Sequence, residues 1–540
     1  MAWQQDYYPL AHSLAWSALA AATPMLVLIY LLAWKRKPAW LAALASLAAA
    51  ALVALFLYRM PPRLALASSM YGAAFGLLPI GWITLNSILL YRLTLETGQF
   101  EFIKRSLTGL TTDRRLQVLV IAFAFGAFIE GAAGSGVPVA VGAAMLAGLG
   151  FPPLEAAVIC LLANTAPVAF GAIGTPIFTL NATTGLPIQR LSTCVASICA
   201  PFALFIPIYL TALVGGRKGV RGALPASLVC GVSFASVKWL VAWRLGPQLT
   251  DVLASLAALA CLVLLLRVWQ PKDNASHAAA TNAERYRDSA KTIWWAWAPY
   301  ILLAACVLLW GLPLLRGPLD RTTPLIAWPA LDGQVRRMPP VVPAPAGYAA
   351  VYKFEWLASP GTACLVASVL AAMLAGLSPR RFAAVFARTL RTMAFPLITI
   401  ASVLSLAFLM NYCGATATLG LAFAGTGRFF PFFSPLLGWM GVFLTGSDAS
   451  SNALFGNLQV VTARRLSLNP VLMASANSSG GVMGKMISVQ TIAVAAAATG
   501  MDTSQETQLF RFNFWRSLLL ASAIGLLTTA YAYLLPASTF

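Results

Sequence analysis

Runs of about 20 apolar residues, each long enough to cross a bilayer as a helix, follow one another along the chain with short polar or basic stretches between them. The pattern predicts spans at about His12 to Trp34, Trp40 to Tyr58, Leu64 to Leu90, Leu191 to Val214, Leu224 to Val241, Val252 to Leu266, Ile293 to Leu312, Thr362 to Leu377, Thr389 to Met410 and Ser517 to Leu535. Two regions depart from it. From Leu116 to Glu130 about fifteen apolar residues precede a glycine-rich stretch, and Val137 to Leu149 adds about thirteen before Phe151-Pro152-Pro153, so neither arm crosses at about 1.5 Å per residue. These lengths predict a re-entrant hairpin with its tip at Gly131 to Gly136, near mid-membrane. The next segment, Leu154 to Leu180, is predicted to cross while broken at Asn164 to Pro176. A second hairpin is predicted at Pro431 to Arg464, and a second break at Asn477 to Gln490.

The two regions fit one alignment. Gly131 falls on Gly446, Ser135 on Ser450, Asn164 on Asn477 and Gly171 on Gly484, with a two-residue gap difference, which marks an internal repeat. Unwound backbone survives in a membrane only where it lines a cavity or is buried in protein, so breaks at matching positions of two halves point to a transporter's binding site. Close helix packing is the competing explanation for the small residues, but packing does not explain a duplicated block that contains Asp448 and Lys485. The expected organisation is a scaffold at residues 1–115, a first transport-core unit at 116–190, further scaffold at 191–412, a second core unit at 413–500 and a last span at 501–540.

Composition agrees with an all-α polytopic membrane protein: 59% of residues are hydrophobic and 10% charged. The net charge of +20 would suggest nucleic acid in a soluble protein, but the Lys and Arg lie mostly in short loops and are read as topology signals. Lys35-Arg36-Lys37, the loop from Arg92 to Arg115, Arg217 to Arg221, the polar stretch from Gln270 to Lys291 and Arg380 to Arg388 are expected inside. Both termini and the Pro-rich loop from Pro313 to Trp356 are expected outside. The hairpins then enter from opposite sides and the repeats are inverted, with Arg464 and Arg465 left outside against the rule. Met1 to Pro9 lacks the basic start of a cleavable signal peptide, and the eight cysteines have no disulfide or metal spacing.

At Phe128–Pro138, Asn164–Pro176, Thr445–Asn457 and Asn477–Gln490 the sequence resembles the lactate permease family of bacterial inner membranes, and the resemblance extends over essentially the whole chain. The resemblance implies proton-coupled uptake of L-lactate and related 2-hydroxy monocarboxylates such as D-lactate and glycolate. It also implies, by fold analogy, paired hairpins that move as an elevator against a scaffold. The alternative carried alongside is a sodium-coupled transporter of small organic anions, because unwound carbonyls with Asn and Ser can equally hold sodium. No nucleophile–base arrangement points to an enzyme, and no cofactor or metal is expected. The partners expected are a small monocarboxylate, the proton and the bilayer; the oligomeric state, a homodimer among the options, is open.

A lactate anion needs anion donors, a hydroxyl partner and a small apolar wall. Gly134, Gly136, Gly480 and Gly481 allow close backbone approach. Ser135, Thr165, Ser450, Ser478 and Ser479 offer hydroxyls, and Asn164, Asn452 and Asn477 can donate and accept. Lys485, whose counterpart in the first unit is Ala172, is the only basic residue in either core block and suits one carboxylate. Asp448 and Glu130 are the candidate proton carriers, since a lone charge at the bilayer centre costs at least ~2.5 kcal/mol. The competing role for Lys485 is a structural pair with Asp448. Lys238 is expected to snorkel, Glu155 to serve a helix start, and His12 and His277 lie too far from the core for a relay.

Overall fold

The computed structural model describes residues 2–134, 136–271, 290–536 and 539. Among them ten helices are long and apolar enough to cross a membrane, and a bent pair, Pro153–Ala163 and Val168–Thr184, adds an eleventh. The chain is a multi-pass, all-α membrane protein. The first spans lie at Leu14–Trp34, Ala39–Leu57 and Pro62–Glu96, the last with extended backbone at Leu78 before Pro79. Residues 188–244 form two spans joined at Gly216, whose φ of 59° and ψ of −163° are open essentially only to glycine. The polar stretch expected inside lies largely, with His277, outside the described residues. A short amphipathic helix, Gln99–Thr108, lies in the basic loop from Arg92 to Arg115, where the apolar-run pattern gave no sign of it.

The N-terminus is tied to the Pro-rich loop. Trp3–Gln4 pairs in parallel with Val335–Arg336, and Gln5 donates to the carbonyls of Asn411 and Tyr412 at the end of the span Pro379–Cys413. Tyr8 and Leu14 share a cavity of about 380 Å³ with Arg465 and Leu466. Arg465 therefore does lie on the face of the N-terminus, as the span count requires and the charge rule alone would not.

Hairpin 1 comprises helices over Arg114–Ala132 and Val137–Gly148. Its first arm is longer than the sequence pattern suggests, 19 residues against about fifteen, because the helix starts among polar residues: Asp113 caps it and pairs with Arg115 at 2.6 Å. This arm is wholly buried. Arg115 also donates to the carbonyl of Gly219, so the hairpin's mouth sits beside the loop that joins the two spans of residues 188–244. Hairpin 2 runs from Phe430–Thr445 through Gly446 to Asp448–Arg465, with Ser447 as the cap of its second arm. Three spans separate the N-terminal face from the mouth of hairpin 1, so the two mouths open at opposite ends of the bundle.

The two breaks differ. In the first, helix Pro153–Ala163 stops, Pro167 removes an N–H, and the chain resumes after a bend of 61°. In the second, the helix stays intact over Pro470–Lys485 and interrupts only at Met486–Ser488, where Ser488 caps the next helix. The position matching Pro167 is Gly480, which keeps its N–H, so Asn477 to Gly481 are helical and not unwound as expected. Gly480 and Gly484 let this helix lie against the backbone of Pro435 and Trp439 in hairpin 2, where an added Cβ would collide.

Candidate functional site

Both hairpin tips and both breaks meet at one cavity of about 420 Å³. One side is polar, with Glu130, Thr175, Asp448, Ser450, Lys485, Gln490 and Thr491. The other is mostly apolar, with Trp40, Met393, Phe395, Pro396 and Ile400 from the flanking spans, interrupted by Thr84 and Thr399. Ala39 and Trp40 begin the second span, so the cavity lies toward the end of the molecule that carries Lys35-Arg36-Lys37.

Lys485 pairs with Glu130, not with Asp448 as the repeat alignment suggested: Nζ donates to Oε1 at 2.6 Å. Glu130 is 2% exposed and Lys485 7%, so the pair is nearly sealed. Its geometry follows from the local sequence. Lys485 ends the helix Pro470–Lys485 and points across the cavity. Gly171 makes room, because a Cβ there would lie 2.7 Å from Glu130 Oε1. The two candidate charges thus come from different units, which alignment of one unit on the other does not bring together. Glu130 Oε2 is buried with no hydrogen-bond partner among the described residues.

Asp448 is held by hydrogen bonds. Ser478 donates to its Oδ2 at 2.6 Å and Asn452 at 3.4 Å, while Oδ1 is buried without a hydrogen bond among the described residues. Asn452 also donates to the carbonyl of Pro176 at 3.1 Å, Asn477 donates to Asn452, and Gln459 donates to Asn477. The chain of amides locks hairpin 2 onto both broken helices, with Asp448 at its cavity end.

The remaining candidates separate into two groups. Gly134, Gly136 and Ser450 line the cavity with Glu130, Asp448 and Lys485, while Ser135 lies outside the described residues. Asn452, Asn477 and Ser478 stand behind it in the amide network, and Ser479 is turned onto its own helix, donating to the carbonyl of Ser475. Gly480 packs on Pro435, and Gly481 leaves space for the carboxylate of Asp448. Thr165 donates to the carbonyl of Leu162, and both polar atoms of the Asn164 side chain are buried without a hydrogen bond among the described residues.

Two sets of residues were not foreseen. The apolar wall comes from ordinary spans and carries only one sequence sign, Pro396 inside the span Pro379–Cys413. Lys238 does not snorkel. It is fully buried, pairs with Asp251 at 3.0 Å and donates to the carbonyl of Ala166 at 2.6 Å, while its neighbours Trp239 and Leu240 are exposed on the opposite face.

The profile of the L-lactate permease family matches residues 17–535. The chain is 45% identical to an L-lactate permease of Bacillus subtilis, over 98% of each sequence. It is 42% identical to an L-lactate permease of Escherichia coli K12, over 99% of this chain and 98% of that one. It is also 41% identical to the glycolate permease GlcA of the same organism, over 98% of each. Among solved structures, the YdaH transporter of Alcanivorax borkumensis aligns over 85% of this chain and 86% of its own, at 15% identity and a TM-score of 0.45, too low to bear on the site. The profile match over nearly all of its length and these identities establish that the chain belongs to the L-lactate permease family.

Proposed function

We propose that this chain takes up L-lactate and related 2-hydroxy monocarboxylates, D-lactate and glycolate among them, in symport with protons across a bacterial inner membrane. The observation that carries the reading is the Lys485–Glu130 pair at the cavity, supported by relatives whose names are L-lactate and glycolate permease. A substrate carboxylate that takes Lys485 must displace Glu130, and a displaced, ionised Glu130 would be a buried lone charge. A proton on Glu130 removes that cost. Lactate and proton then enter together, and the net charge of the site is the same with Lys⁺/Glu⁻ as with Lys⁺, neutral Glu and lactate⁻.

Ser450 and Thr175 stand where a 2-hydroxyl can be met, and Met393, Pro396 and Ile400 form the wall for the methyl group. Asp448 is the second acid, held ready by Ser478. Hairpins and broken helices moving together as an elevator against the spans that carry Trp40 and Phe395 would carry the site across, with both termini on the outer face.

Reconstituted chain should accumulate labelled lactate when the outside is acidic and stop when a protonophore collapses the gradient. Replacing sodium with potassium should change nothing. Uptake that ignores the protonophore and requires sodium would overturn the reading.

A further inference from the structure

Lys238 and Asp251 lie on spans outside the two core units marked by the repeat, yet both are fully buried and paired at 3.0 Å. Ionised side chains inside a membrane are costly, and in such a place they mark function more often than packing. Lys238 spends its donors inward. The ammonium lies 3.0 Å from Asp251 Oδ1 as an ion pair, donates at 2.6 Å to the carbonyl of Ala166, and sits 4.9 Å from the ring of Phe170 and 5.5 Å from that of Phe234.

The Ala166 carbonyl is the telling contact. It belongs to the first break, and the next residue, Pro167, has no N–H, so the local backbone is poor in donors. On the other partner, Asp251 and Val252 press against Gly131, the residue after Glu130: a Cβ on Gly131 would lie 2.9 Å from Val252 N and 3.1 Å from Asp251 Cβ. The cation therefore touches the break, while the Cβ and backbone of the residue that carries the anion back the Glu130 turn of hairpin 1. The second break has its own cation in Lys485; the matching position in the first is Ala172.

We infer that Lys238 and Asp251 are a positioning pair of the transport core, holding the first break and the Glu130 turn of hairpin 1 in the geometry that lets the carboxylate of a 2-hydroxy acid replace Glu130 on Lys485. The inference rests on the lactate reading for its substrate, and it moves the spans Leu224–Val241 and Val252–Leu266 from scaffold to the body that carries the site.

The test uses the full chain in proteoliposomes and compares wild type with Lys238→Met/Asp251→Asn, which is neutral and close in shape, and with Gly131→Ala, which keeps both charges but forces hairpin 1 off Asp251. Two quantities are read: KM and maximal rate of lactate counterflow, and backbone hydrogen–deuterium exchange at residues 164–171 against 486–490. Loss of a charge-assisted hydrogen bond is expected to raise KM about tenfold or more, with maximal rate little changed, and to speed exchange in the first break alone. Gly131→Ala should raise KM similarly, and it decides the matter if the double variant does not fold. Wild-type KM in a folded variant, or exchange raised equally at both breaks, overturns the inference. Exchange needs no substrate, so a wild-type chain that failed to carry lactate would sink the lactate reading while still deciding whether the pair holds the break.

Discussion

Replacing Glu130 with Gln tests the coupling between proton and substrate directly. In the structure the Glu130 carboxylate occupies the cation that a lactate anion needs, at 2.6 Å and almost out of water. Removing one partner of a buried pair and leaving the other charged costs about 3–5 kcal/mol. Lactate binding to a site with ionised Glu130 carries that cost, so it should be weaker by roughly two to three and a half decades than binding to a site with neutral Glu130. Glu130→Gln keeps the shape and abolishes the charge.

The variant should therefore bind lactate at alkaline pH about as well as wild type does at acidic pH, with an affinity that no longer changes with pH. It should exchange labelled for unlabelled lactate across the membrane, because a neutral residue 130 permits the loaded site to move. It should fail to accumulate lactate against its gradient when only a pH difference drives uptake, because residue 130 no longer takes up or releases a proton. The assay is the pair of measurements, counterflow and pH-driven accumulation, in one proteoliposome preparation. A Glu130→Gln chain that still concentrates lactate like wild type refutes the reasoning, as does one whose lactate affinity still rises tenfold between pH 8 and pH 6.

Lys485→Ala removes the cation and strands Glu130; lactate affinity should fall at least tenfold even at acidic pH, measured as KM of counterflow. Asp448→Asn retains donors and acceptors for Ser478 and Asn452 and should keep pH-driven accumulation; if accumulation is lost here and kept in Glu130→Gln, the two acids exchange roles. Gly481→Ala and Gly171→Ala place a methyl group against the carboxylates of Asp448 and Glu130, and each should lower the uptake rate strongly in a chain that still purifies as a folded protein. Ala172 is held at a φ of 45°, a conformation that costs a non-glycine residue about 1–2 kcal/mol, so Ala172→Gly should raise thermal stability by roughly 1 kcal/mol in a melting assay.

Length and apolarity are local properties, and most of what depended on them was legible in the sequence: nearly all the spans, with Thr362 to Leu377 found as the shorter helix Pro360–Leu374, the helix pairs that meet at the two glycine-rich turns, and the first break, where Pro167 removes an N–H. The second break was drawn too broadly because the alignment transferred its start from the first: with Gly480 in place of Pro167 the helix continues to Lys485 and is interrupted only at Met486–Ser488. Partners across the cavity obey another rule. Lys485 and Asp448 share a unit and are close in sequence, but hairpin 1 delivers Glu130 to Lys485 from 355 positions away, through a gap that exists because Gly171 has no side chain. The tip of hairpin 1 meets the end of the helix Pro470–Lys485, so the two charges that pair are not ones that alignment of the units brings together. Lys238 failed for a related reason: snorkelling is the default of a lone lysine near a helix end, and its default is overruled only by Asp251, a residue that looks like an ordinary helix-start acid until residues 188–244 and 250–268 are packed together.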